Sequence, residues 1–538
     1  MSKKVVIVGA GVAGVNAATK LVDNNFNGEI IIIDMGKNPY DRLPEEVMTG
    51  FLGAGGWSDG KLTYHTAIGG HLTKYTGDEK AMELMDQVIE NFKRFHPKPD
   101  EVQCSNPVAE PEFIKPYFGL RLFPVWHVGT DYLHEIGKNW YDYLVSKGVK
   151  FIWETKVEDI DFENQTVHYP QIAEMDSAEL PGDLKWMHHE TLEYDTLIFG
   201  VGKSGIDFGK QLAERYKLPT ESKPVQIGVR FEAPQKHFQK LIDVSYDFKL
   251  YRKFEDEGVS LRSFCTNNNA AYVAVEETYG DHSYNGHAKK DMSYRNDMTN
   301  FGILMEVRGI DNPFTWSREL VSKVQKDSTG LFYSPTRKPS TTSEGDNVSA
   351  IKIDDLEIVK EAFQGYYKYI EDFINDMKKV FPTLEDDWGI YIPEVKYLSP
   401  EPLVDYDTLA LIDYNNVHFV GDALSARGIT VSGAQGNYVA EWILQCMEDE
   451  LSWEDDPEIQ DFLEHVDKPG PWSEEDDKIH TVGGLTNDKD KSFMKFQDKM
   501  DKKERKSYLE GEIYNERNDG YVKEGMKKEL KKLNNEKS

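Results

Sequence analysis

The pattern of apolar runs and glycine-rich turns along the chain predicts an α/β protein. Residues 5–8 form an apolar run of strand length that stops at Gly9, and the helical spacing that follows continues through Leu21. A second apolar run, residues 29–33, ends on Asp34. This order predicts a strand, a tight turn, a helix and a second parallel strand, which together form one βαβ unit.

The strand pattern changes in the middle of the chain and later returns. Between about residues 206 and 394 the apolar segments are separated by long loops, which predicts a mixed, largely antiparallel sheet. Residues 417–420 are again a short apolar strand, and we expect a helix to begin near Asn437. We therefore predict a Rossmann-like domain, with a parallel sheet and a β-meander, that carries an inserted cap or substrate domain. The predicted boundaries are 1–205 and 395–451 for the first domain, 206–394 for the cap and 452–538 for a charged tail of peripheral helices or disorder.

Composition excludes several functional classes. The net charge of −31 argues against nucleic acid or an anionic membrane as the main partner, because surfaces that bind phosphate need an excess of Lys and Arg. The three cysteines, Cys104, Cys265 and Cys446, lie far apart, so we expect no disulfide framework, no metal site and no dithiol relay. No signal peptide and no apolar run of about eighteen residues is evident, so we expect a soluble cytoplasmic protein.

The first glycine cluster indicates a nucleotide site. Gly9, Gly11 and Gly14 have the spacing G-x-G-x-x-G between the first strand and the helix. In a βαβ unit these glycines permit the turn, the approach of backbone N–H groups to a pyrophosphate and close packing of the helix on the strand. Asp34, at the end of the second strand, would accept hydrogen bonds from a ribose diol. The alternative is a glycine-rich turn that binds no ligand.

Two further glycine-rich segments each allow two interpretations. Residues 49–65 contain Ser58 and Asp59 and predict either a flexible surface loop or a loop that lies along a flat cofactor ring. Residues 200–205 repeat the G-x-G-x-x-G spacing after a strand, with Gly202 at its centre. They predict either a separate nicotinamide-nucleotide site or one more strand of the first domain.

The late strand also ends on a potential ligand. Gly421 and Asp422 follow residues 417–420 directly, and a Gly/Ser-rich stretch separates them from the next helix. Asp422 is therefore either a surface acid at a strand end or a contact to the ribityl or pyrophosphate part of a flavin nucleotide.

These motifs together resemble those of FAD-dependent oxidoreductases of the glutathione-reductase structural class. The chain is most similar to a bacterial and phage family of uncharacterised FAD-dependent dehydrogenases, in the segments GGWSDGKLT (55–63), HVGTDYL (127–133), KPVQIGVRFEAPQ (223–235) and MSYRN (292–296). The resemblance covers about residues 4–447 and implies FAD as cofactor. Because the substrate of that family is not established, the resemblance implies no particular reaction.

The resemblance also implies which residues contact FAD. Gly9, Gly11, Gly14, Asp34 and Asp422 would hold it, with Gly202 in the mid-chain motif, Gly421 in the late motif, Arg42 near phosphate, the backbone of Val157 near adenine, and Ser58, Asp59 and Gly433 in loops beside the isoalloxazine ring. The Asp-Gly pair that flavin hydroxylases carry is replaced here by Val201 and Gly202, which disfavours a monooxygenase.

The leading functional hypothesis is an FAD-dependent dehydrogenase or reductase that moves hydride between flavin N5 and a small organic substrate. Tyr64 and His65 are the candidates for proton transfer, and Arg230 and Arg295 the candidates for binding an anionic substrate. NAD(P)H is one candidate electron donor. A flavin oxidase or monooxygenase and a non-catalytic FAD-binding protein remain alternatives, and the sequence leaves the oligomeric state open.

Overall fold

The computed structural model describes residues 3–43, 46–108, 110–172, 187–221, 225–278, 281–288, 295–310, 312–325, 329–340, 348–396 and 401–454. Residues up to Leu451 belong to one compact unit. The charged tail beyond residue 454 and residues 292–294 of the MSYRN segment lie outside the described residues.

The strands divide between two large sheets and several small ones. In chain order they are β1 (Lys3–Val8), β2 (Gly28–Ile33), β3 (Lys61–Thr63), β4 (Gln103–Ser105), β5 (Gly119–Arg121), β6 (Val125–His127), β7 (Lys150–Ile152), β8 (Asp159–Asp161), β9 (Thr166–Ile172), β10 (Met187–Glu193), β11 (Thr196–Phe199), β12 (Thr220–Glu221), β13 (Val225–Pro234), β14 (Lys249–Phe254), β15 (Val259–Asn267), β16 (Ala271–Thr278), β17 (Asp281–Ala288), β18 (Met298–Val307), β19 (Leu331–Tyr333), β20 (Ile351–Ile353), β21 (Gly389–Lys396), β22 (Glu401–Pro402), β23 (Ala410–Leu411) and β24 (Tyr414–Phe419).

The helices alternate with the strands in the first domain and are grouped in the second. They are α1 (Val12–Asp23), α2 (Leu72–Phe95), α3 (Leu133–Ser146), α4 (Ile206–Arg215), α5 (Gln239–Ile242), α6 (Pro313–Val324), α7 (Glu357–Ala362), α8 (Tyr367–Val380) and α9 (Ile429–Glu454). Among the described residues, no helix is both long enough and apolar enough to cross a membrane.

The first large sheet has the strand order β23-β24-β11-β1-β2-β7, and all pairs except β23 with β24 are parallel. The chain runs from β1 outward to β2 and β7 and then returns to the other side of β1 with β11. This reversal makes a topological switch point between β1 and β11, and in sheets of this kind ligands bind at the carboxyl ends of the strands there. β8, β9 and β10 form the predicted meander between β7 and β11.

Close contact between two glycines defines the switch point. Gly9 follows β1 with a φ of +107°, and a Cβ on it would lie 2.3 Å from the carbonyl oxygen of Gly200, which follows β11. Gly14 lies in the first turn of α1, and a Cβ on it would lie 2.4 Å from the Gly9 carbonyl oxygen. The glycines therefore bring the ends of two parallel strands and the start of a helix together, as the sequence predicts.

The second large sheet has the order β20-β19-β21-β13-β18-β15-β14-β5 and is antiparallel apart from the pair β19 and β20. It has its own hydrophobic core, which includes Phe231, Phe301 and Phe373. The β16-β17 hairpin packs beside β21. The sheet includes residues outside the predicted insertion of 206–394, because β5 joins it from a part of the chain far before residue 206.

Helix α9 differs most from the sequence prediction. It begins at Ile429 rather than near Asn437, so that Gly433 and Gly436 lie inside the helix and not in a loop. The reason is packing against α1 and α2: a Cβ on Gly436 would lie 2.0 Å from the Ala13 carbonyl oxygen, and one on Gly433 would lie 2.8 Å from Val88. Glycine has a low intrinsic propensity for the interior of a helix, so these two glycines indicate a loop in the sequence, and their close contacts with α1 and α2 explain why they lie in a helix.

Candidate functional site

A cavity of about 660 Å³ opens at the switch point of the first sheet. Gly9, Gly200 and Gly421, at the ends of β1, β11 and β24, line one side of it. Residues from β15, β16, β17 and β21 line the other side, which we call the cap end. Its volume falls within the range of about 300–1,000 Å³ that is usual for ligand and cofactor sites.

The N-terminus of α1 opens into this cavity. Gly11 lines the cavity, and its carbonyl accepts the first helical hydrogen bond, from Val15 N–H at 2.9 Å. The N–H groups of the helix's first turn therefore have no partners within the helix and carry its positive dipole end. The nearest atom to a Cβ on Gly11 would be the Gly200 carbonyl oxygen at 3.8 Å, so the backbone leaves room here for a ligand.

A second helix N-terminus meets the same cavity. The Gly428 carbonyl accepts from Ser432 N–H at 3.1 Å at the start of α9, and Gly428, Ile429 and Ser432 all line the cavity. A Cβ on Gly428 would meet nothing within 4 Å. Two helix N-termini thus face one space, an arrangement that favours a ligand with two separate anionic or electron-rich groups.

Asp34 lines the cavity, but the protein backbone already engages its carboxylate. Oδ2 accepts from Ala10 N–H at 2.7 Å, while Oδ1 accepts from Gly36 and Gly50 N–H at 2.7 and 2.8 Å. The carboxylate therefore ties the first glycine turn to the 36–50 loop. A carboxylate has about four acceptor positions, so Asp34 retains capacity for one ribose hydroxyl.

Arg42 is buried behind the cavity wall and does not line it. Its guanidinium donates to the carbonyls of Phe51 at 2.6 Å, Gly53 at 2.8 Å and Val47 at 3.0 Å. Burial lowers the pKa of Arg42 to about 10. Its role is to hold the 47–53 loop, of which Val47 and Gly53 face the cavity; the phosphate contact that the resemblance implies is not seen.

The other residues predicted to contact the cofactor fall into two groups, those that line the cavity and those that do not. Ser58, Asp59, Val157, Gly202, Gly421 and Asp422 line the cavity, together with Gly9, Gly11 and Asp34. Gly14 and Gly433 are packing residues of α1 and α9 and do not line it. Because β11 pairs with both β1 and β24, the second glycine cluster belongs to the first sheet and to the same cavity.

None of the four predicted catalytic residues lines the cavity. Tyr64 packs against the first core, and burial followed by a hydrogen bond to Asp86 raises its pKa to about 12. His65 Nδ1 accepts from Ala67 N–H at 3.0 Å, and burial lowers its pKa. Arg295, with a half-exposed side chain, donates to Asp297 at 2.5 Å.

Arg230 lies one layer behind the cap end. Its side chain is 0% exposed, and Nη2 donates to the Cys265 carbonyl at 2.8 Å and to Asn300 Oδ1 at 2.6 Å. Nη1 lies 3.4 Å from Glu394 Oε2. Arg230 therefore supports the cavity wall through Cys265 and is not available as a substrate clamp.

Sequence reasoning missed the residues that give the cap end its chemistry. Glu276 and His287 come from the β16-β17 hairpin, and Lys396 ends β21. Lys203 and Arg427, from the loops after β11 and before α9, complete the group. The sequence does show charged residues in β16, where apolar and polar residues alternate, and at the end of β21. It does not show that they meet, because only the register of the sheet brings them together.

Burial and neighbouring charges shift the pKa values of the titratable side chains at the cap end. Burial raises the pKa of Glu276, but the Lys203 charge and a hydrogen bond from Asn285 outweigh it and hold that pKa below its ordinary value. Burial lowers the pKa of His287, so its imidazole is neutral at pH 7. Burial also lowers the pKa of Lys396, to about 8.

Asp59 and Lys61 form a buried ion pair at the edge of the cap end, with Nζ 2.9 Å from Oδ2. Burial raises the pKa of Asp59, but the Lys61 charge and hydrogen bond outweigh it and hold that pKa below its ordinary value. Both groups are therefore charged, and the pair is neutral as a whole.

Neither a family model nor a curated protein sequence matches the chain. A flavoprotein/dehydrogenase from Cytophaga hutchinsonii is 12% identical over 82% of this chain and 79% of its own, with a TM-score of 0.32. The L-proline dehydrogenase from P. horikoshii is 12% identical over 82% and 94%, with a TM-score of 0.35. A halogenase solved with phloroglucinol and FAD is 11% identical over 83% and 70%, with a TM-score of 0.37. Likenesses this weak support no argument, so the assignment that follows rests on the cavity.

Proposed function

We propose that this protein is an FAD-dependent oxidoreductase and that the cavity at the switch point holds FAD without a covalent bond. The observation that carries the proposal is the meeting of three glycine-bearing strand ends and two helix N-termini around one cavity. The pyrophosphate would bind at the N-terminus of α1, beside Gly11, and Asp34 would accept from a ribose hydroxyl. Asp422 and the N-terminus of α9 would contact the flavin end.

The bound flavin would supply two-electron chemistry to an organic substrate at the cap end. The chain's own residues there bind the substrate, exclude water and move a proton. His287 is the group we assign to proton transfer, because its imidazole faces the cavity in the neutral form that accepts a proton. Its ring stacks on Tyr272 with centroids 5.5 Å apart, which fixes its plane.

A direct test is the flavin content of the purified full-length protein. We expect yellow protein with about one FAD per chain, released by heat or acid because no covalent bond holds it. Gly11→Val should abolish that colour, because a branched side chain at this position fills the space beside the α1 N-terminus. Gly11 has an ordinary φ of −68°, and its Cβ meets no protein atom closer than 3.8 Å, so the variant should still fold.

Gly137→Ala is the matched control, since Gly137 lies in α3 with 3.7 Å of clearance and does not line the cavity. It should bind FAD as the wild type does. Folded wild-type protein that is colourless and takes up no added FAD would refute the proposal. Peroxide formed in step with substrate oxidation would favour an oxidase over a dehydrogenase, and bound flavin that no donor reduces would favour a non-catalytic role.

A further inference from the structure

Five charged side chains from four separate parts of the chain form one group that reaches from the strand ends to the cap end. They are Lys203, Glu276, Lys396, Asp422 and Arg427, and all five line the cavity. Glu276 lies near both Lys203 and Lys396, and Arg427 lies near Asp422. These five side chains together carry one net positive charge, because three are cations and two are carboxylates; Asp34, Lys156, Glu158 and Asp207 line the cavity outside this group.

The ion pair at the edge of the cap end does not change that sum. Lys61 and Asp59 are neutral as a pair, and Arg230 lies one layer behind the cap end, 3.4 Å from Glu394. A group of cavity-lining side chains with a net positive charge is unusual in a chain whose net charge is −31. Because a cavity with low-dielectric walls concentrates the field of its charges, this excess attracts a small anion.

Lys396 is the cation best placed to meet such an anion. Its Nζ lies 4.1 Å from the centroid of the Phe264 ring, and within the described part of the chain it has neither a hydrogen bond nor an ion pair. After burial, the neighbouring charges of Lys203 and Arg427 lower its pKa, whereas Cys265 and Glu394 raise it. An ammonium held against like charges gains stability when an anion enters.

We propose that the cap end is a subsite for the carboxylate group of the substrate and that Lys396 binds this group, with Lys203 and Arg427 adding positive charge. The proposal rests on the proposed function, because it concerns the substrate that the flavin would oxidise. A single negative charge matches the excess of one positive charge. A phosphate dianion would leave this group of five side chains net negative beside Glu276 and Asp422, so we assign a carboxylate and not a phosphate.

The test is ligand binding to the FAD-loaded full-length protein, followed by the change in the flavin visible spectrum and by calorimetry. The probes are acetate, propanoate and benzoate, with benzamide as a neutral analogue of benzoate and inorganic phosphate as the dianion. We expect at least one carboxylate to bind, benzamide to bind at least tenfold more weakly than benzoate, and phosphate to bind more weakly than the carboxylates.

Lys396→Met should weaken carboxylate binding at least tenfold and leave the FAD content unchanged. Lys352→Met is the matched control, because Lys352 is an exposed lysine on β20 of the same sheet and does not line the cavity. This control variant should change neither the carboxylate binding nor the FAD content. Carboxylate binding should also weaken between pH 7 and 9, because the Lys396 ammonium loses its proton near pH 8.

The proposal would be overturned by no binding of any carboxylate, by equal binding of benzoate and benzamide, or by unchanged carboxylate binding in Lys396→Met. Loss of FAD in Lys396→Met would also overturn it, by assigning the lysine to the cofactor. Failure of the proposed function is distinguishable, since protein that takes up no FAD but binds benzoate through Lys396 by calorimetry would retain the subsite without the flavin.

Discussion

The guanidinium of Arg230 occupies the space beneath Gly286, so that a Cβ on residue 286 would lie 1.7 Å from Arg230 Nη2. Gly302 makes room on the other side, since a Cβ there would lie 2.6 Å from Glu394 Oε2. Gly286 also lines the cavity. The buried Arg230–Glu394 pair and the wall of the cap end are therefore built on the same two glycines.

Gly286→Ala should destabilise the protein, because the added methyl group must displace a buried charged side chain that has no space to move. We expect a loss of about 3 kcal/mol in the free energy of unfolding, at the upper end of the cost of overpacking a core. Urea unfolding followed by tryptophan fluorescence measures it. Gly137→Ala is the control and should be neutral or stabilising, because alanine favours a helix. Equal midpoints for the two variants would contradict the packing argument.

Replacing all three cysteines with serine should leave FAD bound and keep at least a tenth of the flavin-reduction rate. Cys265 lines the cavity, but none of the three cysteines is in a disulfide, and Cys104 and Cys446 do not line the cavity. A disulfide that accepts two electrons from reduced flavin needs two thiols within bonding reach, and a single cavity thiol cannot form one within the chain. Stopped-flow reduction by an active donor is the measurement. Loss of reduction with FAD still bound would place a thiol in the mechanism.

His287→Gln should lower the rate of flavin reduction by about 100-fold or more, the usual contribution of a general base. In the wild type the rate should fall as the pH drops below about 6.5, because burial lowers the pKa of His287 and the protonated ring cannot accept a proton. The variant should lose this pH dependence and keep its FAD. His65→Gln is the control, since His65 does not line the cavity. If the rate of flavin reduction in His287→Gln had the same pH dependence as in the wild type, His287 would not be the proton-transfer group.

His418 should make the fold sensitive to acid. It is 1% exposed, its Nδ1 lies 2.9 Å from the Thr408 carbonyl oxygen, and burial lowers its pKa from 6.5 to about 4. The unfolded imidazole takes up a proton below about pH 6.5 and the folded one does not, so the contribution is complete above that pH and is lost as the pH falls to about 4. The difference corresponds to about 3 kcal/mol.

His418→Asn keeps a donor at the position of Nδ1 but does not titrate. The wild type should therefore lose about 3 kcal/mol more than this variant between pH 7 and pH 4, measured by urea unfolding at each pH. If the free energy of unfolding fell equally with pH in the two proteins, His418 would not be the source of the acid sensitivity.

The first βαβ unit was predictable because its signals are local. The apolar runs of β1 and β2 and the spacing of Gly9 and Gly11 all fall within one short segment, and the structure contains the strands and helix that they predict. The cavity residues in this unit follow from the same local pattern. Helix α9 was harder, since Gly433 and Gly436 read as loop residues until α1 and α2 are seen against them.

The cap end could not be predicted because its residues meet only through sheet register. Asn285 on β17 lies opposite Ala274 on β16 and donates a hydrogen bond to Glu276, which lies opposite Ser283. Lys396 pairs with Gln226 on β13. A shift of one residue in either pairing would turn these side chains to the opposite face. For the same reason Tyr64 and His65, adjacent to a cavity loop in sequence, lie outside the cavity in space.

The order of strands in the first sheet also sets when the proposed FAD site can form during synthesis. Val5 on β1 pairs with Thr196 on β11, and Leu197 on β11 pairs with Val417 on β24. A ribosome must therefore release most of the chain before the sheet is complete and the N-terminus of α9 can face the N-terminus of α1. Such long-range pairing is slow and leaves strand edges exposed meanwhile. Nascent chains that stop before residue 429 should be colourless, dependent on chaperones and prone to aggregate.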